Sequence, residues 1–469
     1  MTATVTGDAL EARLAEFARV DLGVATAPTP LHLAPRFSER IGREVWLKRD
    51  DLMVFGLGGN KVRKLEYLMG EALAQGADTL ISVGATQSNH ARCVAAAAAR
   101  AGLDCQLVLS GRSPSRATGN LALDLLFGAT VHYDGDSTWV QQLARANGLA
   151  DELRARGRRP YVIPAGGSTP VGALGFVQAA HELLTQAGDV GLTPAAVVLA
   201  SSTGGTQAGL EFGLCQLGSA IAVHGVGVAK TAIDLRSEVQ QLVGGIADIT
   251  GLPVGSTPSS IIDGYIGAGY ARPTRGAVQA QQLLARTEGV AVDSVYTAKA
   301  LHAVTDGAGP SGPIVFWHTG GTPSLFSDEV GITRQANDIG SPTALARARH
   351  RLDHQTPPPA ASISQATVDN LTPESLTEQA QIGHPLANRA VRADATPSWS
   401  LSAVTKVAAD LTEAGALPMA NDVPVTANMP RSLTPSPIAA PPVTSRILRY
   451  SAKATSPVAL STPRAVISR

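Results

Sequence analysis

Cysteine is scarce: Cys93, Cys105 and Cys215 are the only three in 469 residues, widely spaced and set in apolar stretches. Such spacing argues against a disulfide framework or a zinc site and fits buried free thiols in a reducing compartment. Net charge is missing too, with 38 basic residues against 38 acidic and no dense Lys/Arg run. No global field draws in nucleic acid or an anionic membrane, and neither is an expected partner. No stretch of 18 apolar residues occurs, and the start, MTATVTGDALEARLAEF, has no basic segment leading into an apolar one. The cytoplasm is the expected compartment. Glycine, finally, is nearly absent from one end. Only 3 of the 47 glycines lie beyond about residue 335, where about half of the 30 prolines fall and Ala, Ser, Thr and Pro dominate. Residues 335–469 read as a low-complexity, disordered tail, too poor in large apolar residues to offset the entropy of ordering. One short amphipathic stretch within it, LSAVTKVAADLTEAGAL (401–417), has the pattern of a helix. The tail is assigned no chemistry.

What the first 335 residues do contain is an alternation of short β-rich runs with longer helical patterns. The strand candidates are VWLKR (45–49), TLISV (79–83), CQLVLS (105–110), TVHY (130–133), YVIP (161–164), AAVVLA (195–200), IAVHGVGV (221–228) and PIVFWHT (313–319). Between them, VRKLEYLMGEALAQG places Val62, Leu65, Leu68, Met69, Ala72 and Leu73 at helical spacing, and HARCVAAAAARAG, LGFVQAAHELLTQAG and TQAGLEFGLCQLG read likewise. This is the signature of parallel strands joined by helices, so the fold class is α/β. Ligands in such folds sit at the carboxyl ends of strands, which directs attention to the strand-to-helix loops.

Three loops and one lysine stand out. SSTGGTQAGL (201–210) follows a strand and opens a helix, presenting backbone N–H groups and a positive helix end that suit a phosphate, or else a tight turn that needs glycine. It does not match GxxxxGK[ST], so a nucleotide P-loop is disfavoured. GATQSNHARC (84–93) sets Ser88, Asn89 and His90 at a helix start, as a ligand contact or as a simple N-cap. PIVFWHTGG ends a strand on Thr319, Gly320 and Gly321. In GLGGNKVRKLEYL (56–68), Lys61 follows Gly58, Gly59 and Asn60 and opens a helix where the backbone can approach something closely. A glycine-flanked lysine, a Ser-Asn helix start and a phosphate-type loop together call for a phosphorylated aldehyde, and pyridoxal 5'-phosphate meets that description.

GGNKVRKLEYL, GATQSNHAR, YVIPAGGSTPVGALGF, ASSTGGTQAG, DSVYTAKAL and FWHTGG, in this order from about residue 20 to 328, resemble the D-cysteine desulfhydrase and 1-aminocyclopropane-1-carboxylate deaminase family. The resemblance implies a fold-type II pyridoxal phosphate enzyme of the tryptophan synthase β-subunit type, with two open parallel-sheet α/β domains and the cofactor in the cleft. Residues 1–54 and 166–334 would form the large domain and 55–165 the small one; the resemblance also implies a homodimer. Lys61 matches the lysine that forms the Schiff base, a role that needs a depressed amine pKa. Asn89 matches the asparagine that bonds the pyridoxal ring hydroxyl, flanked by Ser88 near the substrate carboxylate and by His90. Asn60 and Lys64 would lie near the cofactor phosphate, with Ser202, Thr203, Gly204, Gly205 and Thr206 as its cradle. Tyr270, in GYIGAGYARP, and Tyr296, in SVYTAKAL, match two active-site tyrosines that approach Cα and the leaving group, unless they are core residues whose hydroxyls find carbonyls.

Two positions bear on the reaction. The cyclopropane deaminases carry Glu directly after the tyrosine of VYE and Leu in HLGG, where this chain has Thr297 and Thr319. A carboxylate facing the pyridine nitrogen keeps it protonated and the ring a strong electron sink, which opening a cyclopropane requires; a threonine hydroxyl supplies no such charge. β-Elimination tolerates the weaker sink, because electrons released at Cα can leave with the group on Cβ. The expected activity is therefore that of a lyase acting on a small amino acid, D-cysteine giving pyruvate, ammonia and hydrogen sulfide. 1-Aminocyclopropane-1-carboxylate deamination, L-cysteate sulfo-lyase activity and a non-catalytic pyridoxal phosphate binder are the alternatives.

Overall fold

A computed structural model of the chain describes residues 4–24, 28–255 and 257–328. The tail from 335 and its amphipathic stretch at 401–417 lie outside the described residues. Among the described residues there are ten strands: β1 (Leu31–Leu33), β2 (Val45–Arg49), β3 (Thr79–Ala85), β4 (Asp104–Ser110), β5 (Thr130–Tyr133), β6 (Pro160–Ile163), β7 (Ala196–Ser201), β8 (Ala222–Gly227), β9 (Ser259–Ile262) and β10 (Ile314–His318). They form a six-stranded sheet in the order β1-β2-β10-β7-β8-β9 and a four-stranded sheet in the order β5-β4-β3-β6. Every pairing is parallel except β1 with β2.

All eight strand candidates are strands. β1 and β9 are additional; they are three and four residues long, occupy sheet edges, and bury too little to leave a pattern in the sequence. The strands of residues 79–163 build the smaller sheet and those on either side of that stretch build the larger. β3, β7 and β10 lie inside their sheets, and β10 is buried along its whole length, as parallel strands covered on both faces must be.

The four helical patterns correspond to Lys61–Ala74, Asn89–Ala101, Pro170–Asp189 and Gly205–Gln216. The first departs from an amphipathic surface helix. Val62, Leu65, Leu68, Met69 and Ala72 are buried as expected, but Leu73 is exposed, and Arg63, Lys64, Glu66 and Tyr67 are buried as well. Neighbours cover this helix on nearly all sides, and its charged groups are matched rather than solvated. On Gly175 of the Pro170–Asp189 helix, a Cβ would stand 2.1 Å from the carbonyl oxygen of Arg63, so only glycine lets the two helices approach this closely.

The charge matching is concentrated just behind Lys61. Arg63 Nη2 donates to Asp50 Oδ1 at 2.9 Å and Nη1 to Glu182 Oε2 at 2.7 Å, Lys48 pairs with Glu182, and Trp317 Nε1 donates to Asp50 Oδ2 at 2.8 Å. Burial alone would raise the Glu182 carboxyl, but Arg63 and Lys48 hold it down at about 2. The network joins β2, β10, the Lys61 helix and the Pro170–Asp189 helix, so the N-terminus of the Lys61 helix is pinned to the larger sheet. Cys93 and Cys105 are buried free thiols; Cys215 is part-buried rather than buried.

Candidate active site

The carboxyl ends of β3, β6, β7 and β10 converge on one cavity, enclosing roughly 710 Å3 counted out to its open mouth. The loop after β7 supplies Ser202, Thr203, Gly204, Gly205 and Thr206, and the Gly205–Gln216 helix starts within it. Gly204 has φ 73°, the left-handed value that turns the chain into the helix. On Gly205 a Cβ would sit 2.7 Å from both Lys64 Nζ and Ser168 Oγ, filling the hollow between the loop and that lysine. Asn60 Nδ2 donates to Thr206 Oγ1 at 2.9 Å, and the Asn60 N–H donates to the Thr319 carbonyl at 3.0 Å, which ties the lysine loop to the β7 loop and to the end of β10.

Lys61 lines the cavity at its helix N-terminus, where burial lowers its amine from 10.5 to about 8. Lys64, three residues on, donates to the Gly166 carbonyl and to Ser168 Oγ, each at 3.1 Å, and is lowered further by burial and by Lys61. Across the cavity the Asn89–Ala101 helix begins. Ser88 is its N-cap, accepting from the Ala91 N–H at 3.2 Å, and also lines the cavity, so the two readings of this residue coexist. His90 is buried, bonded through Nε2 to Ser82 Oγ at 3.0 Å, and kept neutral by burial, Lys61 and Lys64. Tyr270 and Tyr296 meet hydroxyl to hydroxyl. Burial raises both phenols, so they are protonated donors at neutral pH, and neither is the core residue that the bland reading allowed.

Of the residues expected at the site, Thr297 alone does not line the cavity. It is fully buried at the first turn of the Thr297–Thr305 helix, where its hydroxyl donates to Asp293 Oδ2 at 2.5 Å and accepts from the Asp293 N–H at 2.8 Å. Local capping by Asp293 holds that side chain in the helix start; Thr319 is the threonine that reaches the cavity. Three contributors were not singled out in sequence. Trp139 lines the cavity from the smaller-sheet side and packs edge-on against Tyr270, ring centroids 5.8 Å apart at 77°. Lys299 Nζ donates to the carbonyls of Ile266 (2.6 Å) and Gly269 (3.0 Å), anchoring the loop that carries Tyr270. Ser168 shares a 2.7 Å bond with Thr203 beneath the β7 loop. Ser168 and Lys299 fall within the motif stretches YVIPAGGSTPVGALGF and DSVYTAKAL; Trp139 has no local signal, because its partner is distant in sequence.

A glycine hollow under backbone N–H groups, a lysine held near 8 and a second buried lysine fit a phosphorylated aldehyde. Residues 24–320 match the pyridoxal-phosphate dependent enzyme family. The chain belongs to that family. D-cysteine desulfhydrase of Yersinia enterocolitica is 44% identical over 330 residues, which is 68% of this chain and 98% of that protein. D-cysteine desulfhydrase of Serratia proteamaculans is 42% identical over 329 residues, 68% of this chain and 98% of its own length. A crystal structure described as an ACC deaminase homologue is 38% identical and superposes with a TM-score of 0.64 over 68% of this chain and 96% of its own. The expected fold type, cofactor and enzyme class follow: this is a pyridoxal phosphate enzyme with two parallel-sheet halves. Among the described residues no helix is long and apolar enough to cross a membrane.

Proposed function

We propose that this enzyme eliminates the β-substituent of a small amino acid, taking D-cysteine and water to pyruvate, ammonia and hydrogen sulfide. One observation carries the choice of reaction: among the described residues, no carboxylate lines the cavity, whose amines are those of Lys61 and Lys64. An amino-acid carboxylate and a phosphate are welcome there, and Thr319 would offer a pyridine nitrogen a hydroxyl where no acid is at hand. Pyridoxal phosphate, held by Lys61, the 202–206 loop, Asn60 and Lys64, supplies the aldehyde that captures the substrate amine and an electron sink for bond breaking at Cα. With a value near 8, Lys61 is in part neutral at physiological pH and is the base that takes the Cα proton. Ser88 and the helix N-terminus behind it hold the substrate carboxylate. Of the paired phenols of Tyr270 and Tyr296, both kept protonated by burial, one donates to the other and the second donates toward the departing sulfur. The relatives named D-cysteine desulfhydrase, at 42–44% identity, support this substrate. The larger-sheet part (1–54 and 166–334) and smaller-sheet part (55–165) are proposed as separate domains. A homodimer in the cytoplasm is proposed as the working form, and the exposed apolar side chains of Val54, Leu126 and Phe326 are consistent with a covered surface.

The deciding experiment supplies the loaded enzyme with D-cysteine, L-cysteine, L-cysteate and 1-aminocyclopropane-1-carboxylate, and follows sulfide, sulfite, pyruvate and α-ketobutyrate. Sulfide and pyruvate in equal amounts from D-cysteine are expected. α-Ketobutyrate from the cyclopropane, or bound cofactor with no product from any of the four, would sink the assignment.

A further inference from the structure

Asn89 lies at the cavity wall with only part of its amide accounted for, and the rest of that accounting is written in a buried chain of hydrogen bonds with a fixed direction. It starts at Arg92, whose guanidinium can only donate. Arg92 Nε donates to Asn120 Oδ1 at 2.8 Å, so that atom is the oxygen of the Asn120 amide. The nitrogen of the same amide then donates twice, to the Gln87 carbonyl at 3.0 Å, which can only accept, and to Asn89 Oδ1 at 2.9 Å. The Asn120 backbone N–H is taken as well, by Gln87 Oε1 at 2.9 Å. Asn120 is fully buried and each polar group of its side chain has a partner, so flipping its amide would set Nδ2 against a guanidinium and Oδ1 against a carbonyl oxygen. Two independent anchors therefore decide the orientation of a third residue. With its oxygen committed to Asn120, Asn89 has its NH2 group left over, without a protein partner among the described residues, on a side chain that lines the cavity.

We infer that Asn120 is a positioning residue: through Arg92 and Gln87 it holds the Asn89 amide with its NH2 toward the cavity, and so makes this wall a hydrogen-bond donor that selects an acceptor oxygen on the bound ring. The inference rests on the reading that the cavity holds pyridoxal phosphate, whose ring oxygen is such an acceptor. The same guanidinium donates through Nη2 to the Gly58 carbonyl at 2.9 Å, three residues before Lys61, so one buried cation sets both the donor wall and the loop that presents the amine.

Asn120→Asp tests the chain, because it keeps the shape, still accepts from Arg92, and can no longer donate to Asn89. Asn89 then turns its own NH2 toward the introduced carboxylate and shows its oxygen to the cavity. The expected result is a pyridoxal phosphate affinity lower by about tenfold or more, or a pH titration of the bound cofactor's visible band moved by about one unit or more; the unfolding midpoint of the cofactor-free protein should fall as well, because the introduced oxygen faces the Gln87 carbonyl. Asn89→Asp, which also shows an oxygen to the cavity, should reproduce that spectrum. An Asn120→Asp protein that binds and titrates like the parent overturns the inference. A parent chain that binds no pyridoxal phosphate overturns the functional reading instead, which keeps the two failures apart. If Asn120→Asp does not fold, selective labelling of asparagine amides in the intact cofactor-free chain decides: slow exchange of the Asn120 NH2 protons supports the chain of bonds, and exchange at the solvent rate refutes it.

Discussion

Replacing Lys61 by methionine should make the cofactor-free protein more stable, and by an amount that depends on pH. In the fold the amine is lowered by burial from 10.5 to about 8, which corresponds to about 3 kcal/mol of charging cost. The sign follows from which form the fold resists. The native state resists the proton that the unfolded chain accepts, so the cost is complete below about pH 8 and gone above about pH 10.5. Methionine keeps the apolar stem and carries no charge. The variant should therefore exceed the parent by about 3 kcal/mol near pH 7 and by about half of that near pH 9.5, with water entering the cavity making these figures ceilings. Urea unfolding of both cofactor-free proteins at the two pH values measures the difference, and comparing the pair cancels the titrating groups that do not sense Lys61, which leaves Lys64, His90 and Cys93 as the neighbours whose response adds to it. An advantage that stays constant between the two pH values, or that grows as pH rises, would refute the argument. The same burial has a chemical consequence: near pH 7 about a tenth of the amines are neutral, against fewer than about one in a thousand for an ordinary lysine.

Breaking the buried network behind Lys61 should be costly, because one partner leaves the others charged and dry. Arg63→Met, and separately Asp50→Asn, should each lose about 3–5 kcal/mol in urea unfolding, since Arg63 serves both Asp50 and Glu182. Gly205→Ala places a methyl group 2.7 Å from Lys64 Nζ in the hollow beneath the β7 loop. It should weaken pyridoxal phosphate binding about tenfold or more, followed by titrating the visible absorbance, and leave the circular dichroism of the cofactor-free protein unchanged.

The local sequence carries the architecture because strand period, helix period and glycine punctuation are short-range signals. Eight of the strands and the four helical stretches could be read from them, and the loops at the carboxyl ends of the strands pointed to where ligand chemistry sits. Local patterns likewise singled out Lys61, Ser88, Asn89 and the 202–206 loop, and the family resemblance added both tyrosines; all of them line one cavity. What pattern could not show is which polar side chains face each other once the chain is folded. Arg63 and Glu66 fall between the apolar positions of the helix pattern and are buried nonetheless, because each has partners outside its own helix. Thr297 read as a ring contact and is claimed by Asp293, four residues before it, while Trp139 reached the site with no motif at all. The sequence by itself determined the elements and the chemistry-bearing residues, since these depend on neighbours along the chain. Tertiary structure alone decided the depressed amine at Lys61, the absence of a carboxylate from the described wall and the direction of the Asn89 amide, since burial and hydrogen-bond polarity arise from groups distant in sequence.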